Sequence, residues 1–523
     1  MKEYRQKQVN KQINNEKISK YKKKLNTSFL KEEIKKINNI RREELKKLII
    51  DRDILHIRKC IMQKKFSVYE LVLFYLERIY LYDKNYNSVI CLNENALNQA
   101  RYLDKNIKNI EEFKLFGIPI LVKDNIATVD NMPNTAGAKC LENSIPNRES
   151  FIVKKLKEEG AIILGKTNLS EWANFMSDNS SNGFSCLGGQ TKNAVGNYDV
   201  GGSSAGSAVA VKMNFCAAAI GTETCGSIIY PSVQNQVFGL KPTLGSLSRD
   251  LIIPITEVQD TPGPIARNIE DIKVLYEVMR GEDKRDKRTL NDFNKKDTKD
   301  INELCKKHKG NFKIGVLTND EFALEVDESI KIQFDKIINK LEKEGIQIQK
   351  FKMDKLAFDT SMMSVLYYGF KRDLKLYLEQ IKDENIKCLK DVYDFNNKDL
   401  DNNAPFGQKI IEDSLNLNLD EGMFNKLVLK NKNNTRHSID KLIKESHVDA
   451  IISIDGQLSV IYSAAGYPAL TIPVNKIEGY NPLGITIVGS ENDEIKMINL
   501  AKAINKIING VELWYQRKLK LHF

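Results

Sequence analysis

Three short stretches of this sequence carry residue types that could do chemistry together. Lys123 closes an apolar run in Leu121-Val-Lys-Asp-Asn125, Ser203 and Ser204 lie within Gly201-Gly-Ser-Ser-Ala-Gly206, and Ser227 lies within Gly221-Thr-Glu-Thr-Cys-Gly-Ser-Ile228. A serine hydroxyl is a weak nucleophile until a base takes its proton. A lysine can be that base only as the neutral amine, which desolvation at the end of a buried strand favours. A glycine-rich turn before a serine can present several backbone N–H groups at once, and such donors stabilise a developing oxyanion. A lysine base, a relay serine and a nucleophilic serine beside a glycine loop make a coherent acyl-transfer site. Each stretch alone also has a plain reading: Gly-Gly-Ser-Ser is often a flexible turn, and a strand-end lysine often snorkels to the surface. Their ordered combination is far more specific than any one of them.

Rival chemistries fit less well. Neither glycine-rich stretch matches the phosphate-binding patterns GxxxxGK[ST] or GxGxxG. The five histidines, His56, His308, His437, His447 and His522, all lie outside the Gly/Ser-rich segments, which argues against a Ser-His-Asp triad and against metal ligation. The eight cysteines are scattered and form no CxxC pair, so neither a zinc site nor a disulfide framework is expected. A reducing, cytoplasmic compartment is the expectation.

The elements that must position these residues read as alternating helices and strands. Ser67-Val-Tyr-Glu70 is a capping box opening a helix to about residue 82. A second helix is predicted over 94–106. Phe116 to Val122 reads as a buried strand ending at Lys123. Residues 151–159 read as a helix capped by Gly160, with a strand over 161–164. Further strands are predicted over 312–317 and 346–351 around a helix at 327–344, and over 450–454, 469–473 and 484–488. Residues 360–445 read as mostly helical, with a polar loop near 395–407, and a last helix covers about 493–508. The charged stretch 281–311 reads as a surface insertion or linker. Helix, glycine and strand in succession define the α/β class.

Length and charge bound the rest. The chain has 523 residues, 41% hydrophobic and 28% charged, which suits one large domain or two to three ordinary ones. No apolar run is long enough to span a bilayer, and the start, MKEYRQKQVNKQINN, has no apolar signal region. The formal net charge is +11, but residues 1–48 hold 16 Lys and Arg against 6 Asp and Glu, nearly the whole excess. The basicity is therefore local, and a nucleic-acid partner is not indicated. The extension to about Lys47 reads as a solvated helical arm, amphipathic around Phe29, Leu30, Ile34 and Ile37.

Over roughly residues 66–508, and most strongly over 116–270, the sequence resembles the amidase signature family of Ser-cisSer-Lys hydrolases. The family pattern GGSS(G/A)GS appears at 201–207 and G-(S/T)-(D/E)-x-x-G-S-I at 221–228, followed by Pro231 and Val237-Phe-Gly-Leu-Lys-Pro-Thr243. The 24-residue step from Ser203 to Ser227 is similar to the family spacing, and Ala465-Gly-Tyr-Pro468 with Leu470-Thr-Ile-Pro473 resembles its C-terminal end. The peptide-amidase-like branch is most similar, through Gly188-Gly-Gln-Thr-Lys-Asn193, Ile252-Ile-Pro-Ile255, Gln259-Asp-Thr-Pro-Gly-Pro264 and Phe370-Lys-Arg-Asp-Leu374.

The resemblance implies a central twisted mixed β-sheet covered by helices on both faces. It implies an N-terminal extension over 1–55 and a single amidase domain over 56–515, with a signature core at about 116–270 and a helical substrate region at about 355–445. Ser227 would be the acyl-forming nucleophile, Ser203 the cis-peptide relay and Lys123 the base. The N–H groups of Thr224, Cys225, Gly226 and Ser227 would form the oxyanion hole, and Ser204 would support the Ser203–Lys123 network. The implied activity is hydrolysis of a linear carboxamide, a C-terminal peptide amide or other acyl amide, without metal or organic cofactor. Cys225 departs from the glycine of many members and invites a cysteine-nucleophile reading, but Ser227 holds the motif's nucleophile place. Ile229 stands where many relatives carry arginine, which counts against the alternative of a glutamine-using amidase component of a tRNA-dependent amidotransferase. A non-catalytic scaffold is the third reading, opposed by the intact Lys123, Ser203 and Ser227. Neither the substrate nor an oligomeric state is legible.

Overall fold

The capping box at the start of the first long helix forms as its spacing requires. The Ser67 hydroxyl accepts from the Glu70 N–H at 3.1 Å, and the Glu70 carboxylate accepts from the Ser67 N–H at 2.9 Å, opening the helix Val68–Tyr82. This is one element of a computed structural model that describes residues 21, 25–296, 312–317, 328–354, 357, 361–383, 385–475 and 481–510. The first twenty residues of the basic arm, and residues 297–311 of the charged stretch, lie outside the described residues.

Strands are numbered in chain order: β1 Val89–Leu92, β2 Pro119–Lys123, β3 Ile162–Thr167, β4 Phe184–Ser185, β5 Gly189–Gln190, β6 Ala218–Glu223, β7 Phe238–Lys241, β8 Thr261–Ala266, β9 Lys313–Leu317, β10 Gln347–Phe351, β11 Ala450–Ile454, β12 Ala469–Pro473 and β13 Gly484–Val488. Eleven of them make one sheet in the order β1-β3-β2-β6-β8-β7-β12-β13-β11-β9-β10, with β4 and β5 paired apart. β2 runs parallel to β3 and β6, whereas β6, β8, β7 and β12 are successively antiparallel, so the sheet is mixed. All residues of β2, β3, β6, β8, β12 and β13 are buried. Successive side chains point to opposite faces, so both faces of this α/β sheet are covered.

The elements read from periodicity fall where expected: helices Ala96–Lys105, Phe151–Glu158, Glu328–Lys343 and Glu494–Asn509, and the three closing strands. Gly160 takes φ +84° after its helix, the left-handed conformation that lets the chain turn into β3. The polar loop near 395–407 contains a short helix, Leu400–Asn403.

Two expectations change. The described part of the basic arm does not stand off in solvent. Leu30, Ile37, Leu45 and Ile49 enter the main core, while Arg41 pairs with Glu70 at 2.7 Å and Arg42 with Glu77 at 2.8 Å. Leu45 and Ile49 share one face of helix Asn39–Ile49, Leu30 and Ile37 lie on the short turns before it, and the two arginines find acids on helix 68–82. Residues 281–296 are likewise not a loose linker: Thr289 is fully buried, and Asp286 holds the Arg249 guanidinium and backbone N–H. Paired charges and turn hydrogen bonds substitute there for the missing apolar content.

Candidate active site

Lys123 ends β2, and the parallel register sets Val122 beside Ile220 of β6. One residue further along each strand come Lys123 and Gly221, and the lysine side chain reaches the next residue of β6, Thr222. The lysine is fully buried, and its Nζ donates to Ser203 Oγ at 2.7 Å, Thr222 Oγ1 at 2.9 Å and Thr222 O at 3.2 Å. Burial pulls its pKa down to about 7, with the negative charges of Asp260 and Glu223 partly opposing.

Ser203 and Ser204 form the turn that enters the small-residue helix Ala205–Lys212. The Gly202–Ser203 peptide is cis. A Cβ on Gly202 would come within 2.4 Å of Ser170 Oγ and 2.8 Å of Asn182 Oδ1, so glycine is required by close approach. The Ser203 carbonyl accepts from the Ser170 N–H at 3.1 Å. Ser204 Oγ donates to the Thr222 carbonyl at 3.0 Å and accepts from the Thr222 N–H at 3.2 Å, while the Ser204 N–H donates to the Ser227 carbonyl at 3.1 Å. Ser204 therefore ties the Ser203 turn both to β6 and to Ser227.

Ser227 follows β6 on a turn in which Gly226 has φ +83°, and it is 8% exposed. The carboxylate of Glu223 holds the segment beyond it. One oxygen accepts from the Ile228 N–H at 2.7 Å and the Ile229 N–H at 3.0 Å; the other accepts from the Tyr462 hydroxyl at 2.8 Å. Before Ser227, Thr224 is held from two sides. Its hydroxyl donates to Asp260 at 2.5 Å, and its carbonyl accepts from Gln259 Nε2 at 3.3 Å. In a trans peptide the C=O and the next N–H point oppositely, so the Gln259 contact aims the Cys225 N–H away from Gln259. Among the described residues, no acceptor takes the N–H of Thr224, Gly226 or Ser227.

The seven residues singled out in the sequence thus converge: Lys123 contacts Ser203, Ser204 joins Ser203 to Ser227, and Thr224, Cys225 and Gly226 form the turn before Ser227. Their surroundings were not foreseen. Thr222, which gives Lys123 two of its acceptors, sits inside a motif already noted, and its alternation with Glu223 along the strand was the available signal. Asn125, next but one to Lys123, donates to Thr222 Oγ1 at 3.0 Å. Asp260 and Tyr462 lie far along the chain.

A small cavity beside this cluster is lined by Asn125, Ala173, Thr224, Ile253, Ile255 and Asp260. An apolar cluster adjoins it: Trp172 and Phe175 pack edge-on to Phe370 of helix Met362–Ile381, with ring centroids 5.9 and 5.3 Å apart. Cys225 packs against this cluster with Met363 and Tyr367. Ile229 is fully buried in a separate apolar cluster with Leu458, Ile461 and Tyr462. Among the described residues no group of acids, histidines and cysteines is placed to hold a metal ion, and no helix is long and apolar enough to cross a membrane.

Comparison with known proteins agrees with this architecture. The Amidase family model matches residues 70–454. A relative from Arabidopsis thaliana that bears the name probable amidase is 33% identical, over 86% of this chain and 88% of its own. The crystal structure of an amidase family protein from Bacillus anthracis superposes with a TM-score of 0.85 at 34% identity, covering 92% of this chain and 96% of that one. The native peptide amidase from Stenotrophomonas maltophilia superposes with a TM-score of 0.80 at 29% identity, covering 88% and 98%. The chain belongs to the amidase family. It is a hydrolase of carbon–nitrogen bonds in linear amides.

Proposed function

We propose that the chain hydrolyses a linear carboxamide, a C-terminal peptide amide or another acyl amide, through an acyl-enzyme on Ser227. The buried Lys123–Ser203 contact carries this reading. A neutral amine has two hydrogens and one lone pair. The two oxygens of Thr222 accept the hydrogens, and the lone pair then faces the Ser203 hydroxyl. Ser203 passes its proton to Lys123 while taking the proton of Ser227, whose oxygen attacks the amide carbonyl. The N–H groups of Thr224, Cys225, Gly226 and Ser227 receive the developing oxyanion, and Ser204 steadies the relay. When the C–N bond breaks, the proton returns through Ser203 to the departing ammonia or amine. Water then adds to the acyl-enzyme by the same relay and releases the acid.

The substrate class rests on the likeness to the peptide amidase of Stenotrophomonas maltophilia. The segment 355–445 supplies the substrate region in this reading, since its helix 362–381 walls the apolar cluster beside Cys225. The catalytic domain spans 56–515, with its core at 116–270, and the protein works in a reducing cytoplasm.

Ammonia release from amidated peptides, fatty acyl amides, aryl amides and glutamine tests the proposal. Wild type is expected to release ammonia from at least one class, with Ser227→Ala and Lys123→Ala both silent. An active, folded Ser227→Ala protein would sink the assignment, and glutamine as the sole substrate would turn the reading towards an amidotransferase component.

A further inference from the structure

Asp260 lies outside the residues assigned above, yet it joins the nucleophile turn to the rest of the protein. It is 8% exposed and its carboxylate takes three donors: Thr224 Oγ1 at 2.5 Å, the Ile255 N–H at 2.8 Å and the Thr256 N–H at 2.9 Å. The last two belong to the loop between β7 and β8, which helix 362–381 supports. A Cβ on Gly369 of that helix would come within 2.4 Å of Thr256 Oγ1. Asp373, one turn further on, accepts from the Glu257 N–H at 2.7 Å, and Arg372 bonds the Glu257 carboxylate at 2.9 Å. Gln259, the neighbour of Asp260, takes the Thr224 carbonyl. A continuous set of hydrogen bonds therefore runs from the helix walling the substrate side to the turn before Ser227.

We propose that Asp260 is a positioning residue for amide hydrolysis, fixing Thr224 and the turn that carries Ser227 relative to the loop and helix on the substrate side. The proposal rests on the assignment of Ser227 as nucleophile. The Thr224 bond, with the N–H bonds of Ile255 and Thr256 anchoring the same carboxyl, sets the orientation of a turn whose N–H groups must meet an oxyanion. Asp260 also acts on the base. Lys123 is faced by two acids, Asp260 from the start of β8 and Glu223 from β6, and both favour its ammonium form. Burial raises the Asp260 carboxyl to about 7, with the charge of Asp373 from helix 362–381 adding to the rise, and Asp260 also helps to stabilise the Arg249 guanidinium. Where Asp260 is ionised, above about pH 7, loss of its charge favours the neutral form of Lys123.

The experiment uses the full chain with the amide that wild type cleaves best, and compares Asp260→Asn, Thr224→Val and Ser227→Ala after checking each fold by circular dichroism. Asp260→Asn is expected to lower kcat by about 10- to 100-fold with KM within about 3-fold. It should also move the rising limb of the kcat/KM profile to lower pH, the direction set by removing a negative charge that faces Lys123. Thr224→Val keeps the charge, so it is expected to lower kcat by about 10-fold with the limb unmoved. Wild-type kcat in Asp260→Asn overturns the proposal, as does a loss of kcat with the limb in place, which marks a merely structural role. Should Asp260→Asn fail to fold, Thr224→Val decides: wild-type turnover there overturns the proposal, and reduced kcat at unchanged KM supports it. An active Ser227→Ala protein overturns the underlying assignment, a result that the two other variants cannot mimic.

Discussion

The Tyr462 phenol donates to the Glu223 carboxylate at 2.8 Å across 239 residues of sequence. Glu223 is 1% exposed and spends its other oxygen on the backbone immediately after Ser227. A residue of the C-terminal third thus orients the acid that holds the helix entry just after Ser227. Tyr462→Phe removes one donor to a buried carboxylate and leaves the ring in place. It is expected to cost about 1–3 kcal/mol in urea unfolding and to lower kcat more than it raises KM.

Gly206 and Gly456 make a contrast in sterics. A Cβ on Gly206 would lie 2.4 Å from the carbonyl oxygens of both Asn168 and Ser88, which are backbone and cannot swing aside, whereas Gly456 faces open space. Gly206→Ala is expected to destabilise by about 3 kcal/mol or more through overpacking. Gly456→Ala should stay within about 0.5 kcal/mol of wild type. Thermal melts of the two variants check this.

The Lys123 pKa, lowered from 10.5 to about 7, fixes a stability slope. Between about pH 7 and pH 10.5 the unfolded chain binds a proton at this lysine that the folded chain does not. Stability contributed by this group therefore rises with pH across that window and is smallest below pH 7. Lys166 and Lys241, each lowered to about 8 by burial, act in the same direction. The difference in Tm between wild type and Lys123→Met should consequently shift in favour of wild type as the pH is raised from 7 to 10.

Cys225 packs against the apolar cluster around Trp172 and Phe370. With Ser227 as the proposed acyl-bearing residue, Cys225→Ser is expected to keep at least about a tenth of wild-type turnover. Abolished turnover in this variant, with normal folding and with Ser227→Ala active, would make the thiol the nucleophile. Ile229→Arg would bury a guanidinium among Leu458, Ile461 and Tyr462, and a loss of about 3 kcal/mol or more is expected.

Much of this was legible in the sequence because chemistry and geometry coincide locally. Ser203 and Ser227 announce themselves by glycine-dense neighbours that a bland turn does not need, Lys123 by the apolar run that it closes, and the long helices by their 3.6-residue stripe. The central strands were harder. β6 reads Ala-Ala-Ile-Gly-Thr-Glu and β8 reads Thr-Pro-Gly-Pro-Ile-Ala, sequences with little intrinsic strand preference that tertiary burial overrides. Asp260 stood within Gln259-Asp-Thr-Pro-Gly-Pro264, a stretch that carried the resemblance but no role, and Tyr462 carried no spacing signal; only the closed sheet brings the two to the site. The basic arm misled because charge dominates its composition, whereas the few leucines and isoleucines that enter the core decide where it goes.

The placement of Lys123 and Thr222 on neighbouring parallel strands has a kinetic consequence. The contact between them spans 99 residues, and β6 is flanked on its other side by β8, which is made later still. Such non-local pairings form slowly, after the entropy of closing long loops has been overcome. A growing or half-folded chain therefore holds its serines and its lysine apart, and recovery of amide turnover after dilution from denaturant should lag behind the return of helical signal. Enzymatic activity would then time the closing of the sheet.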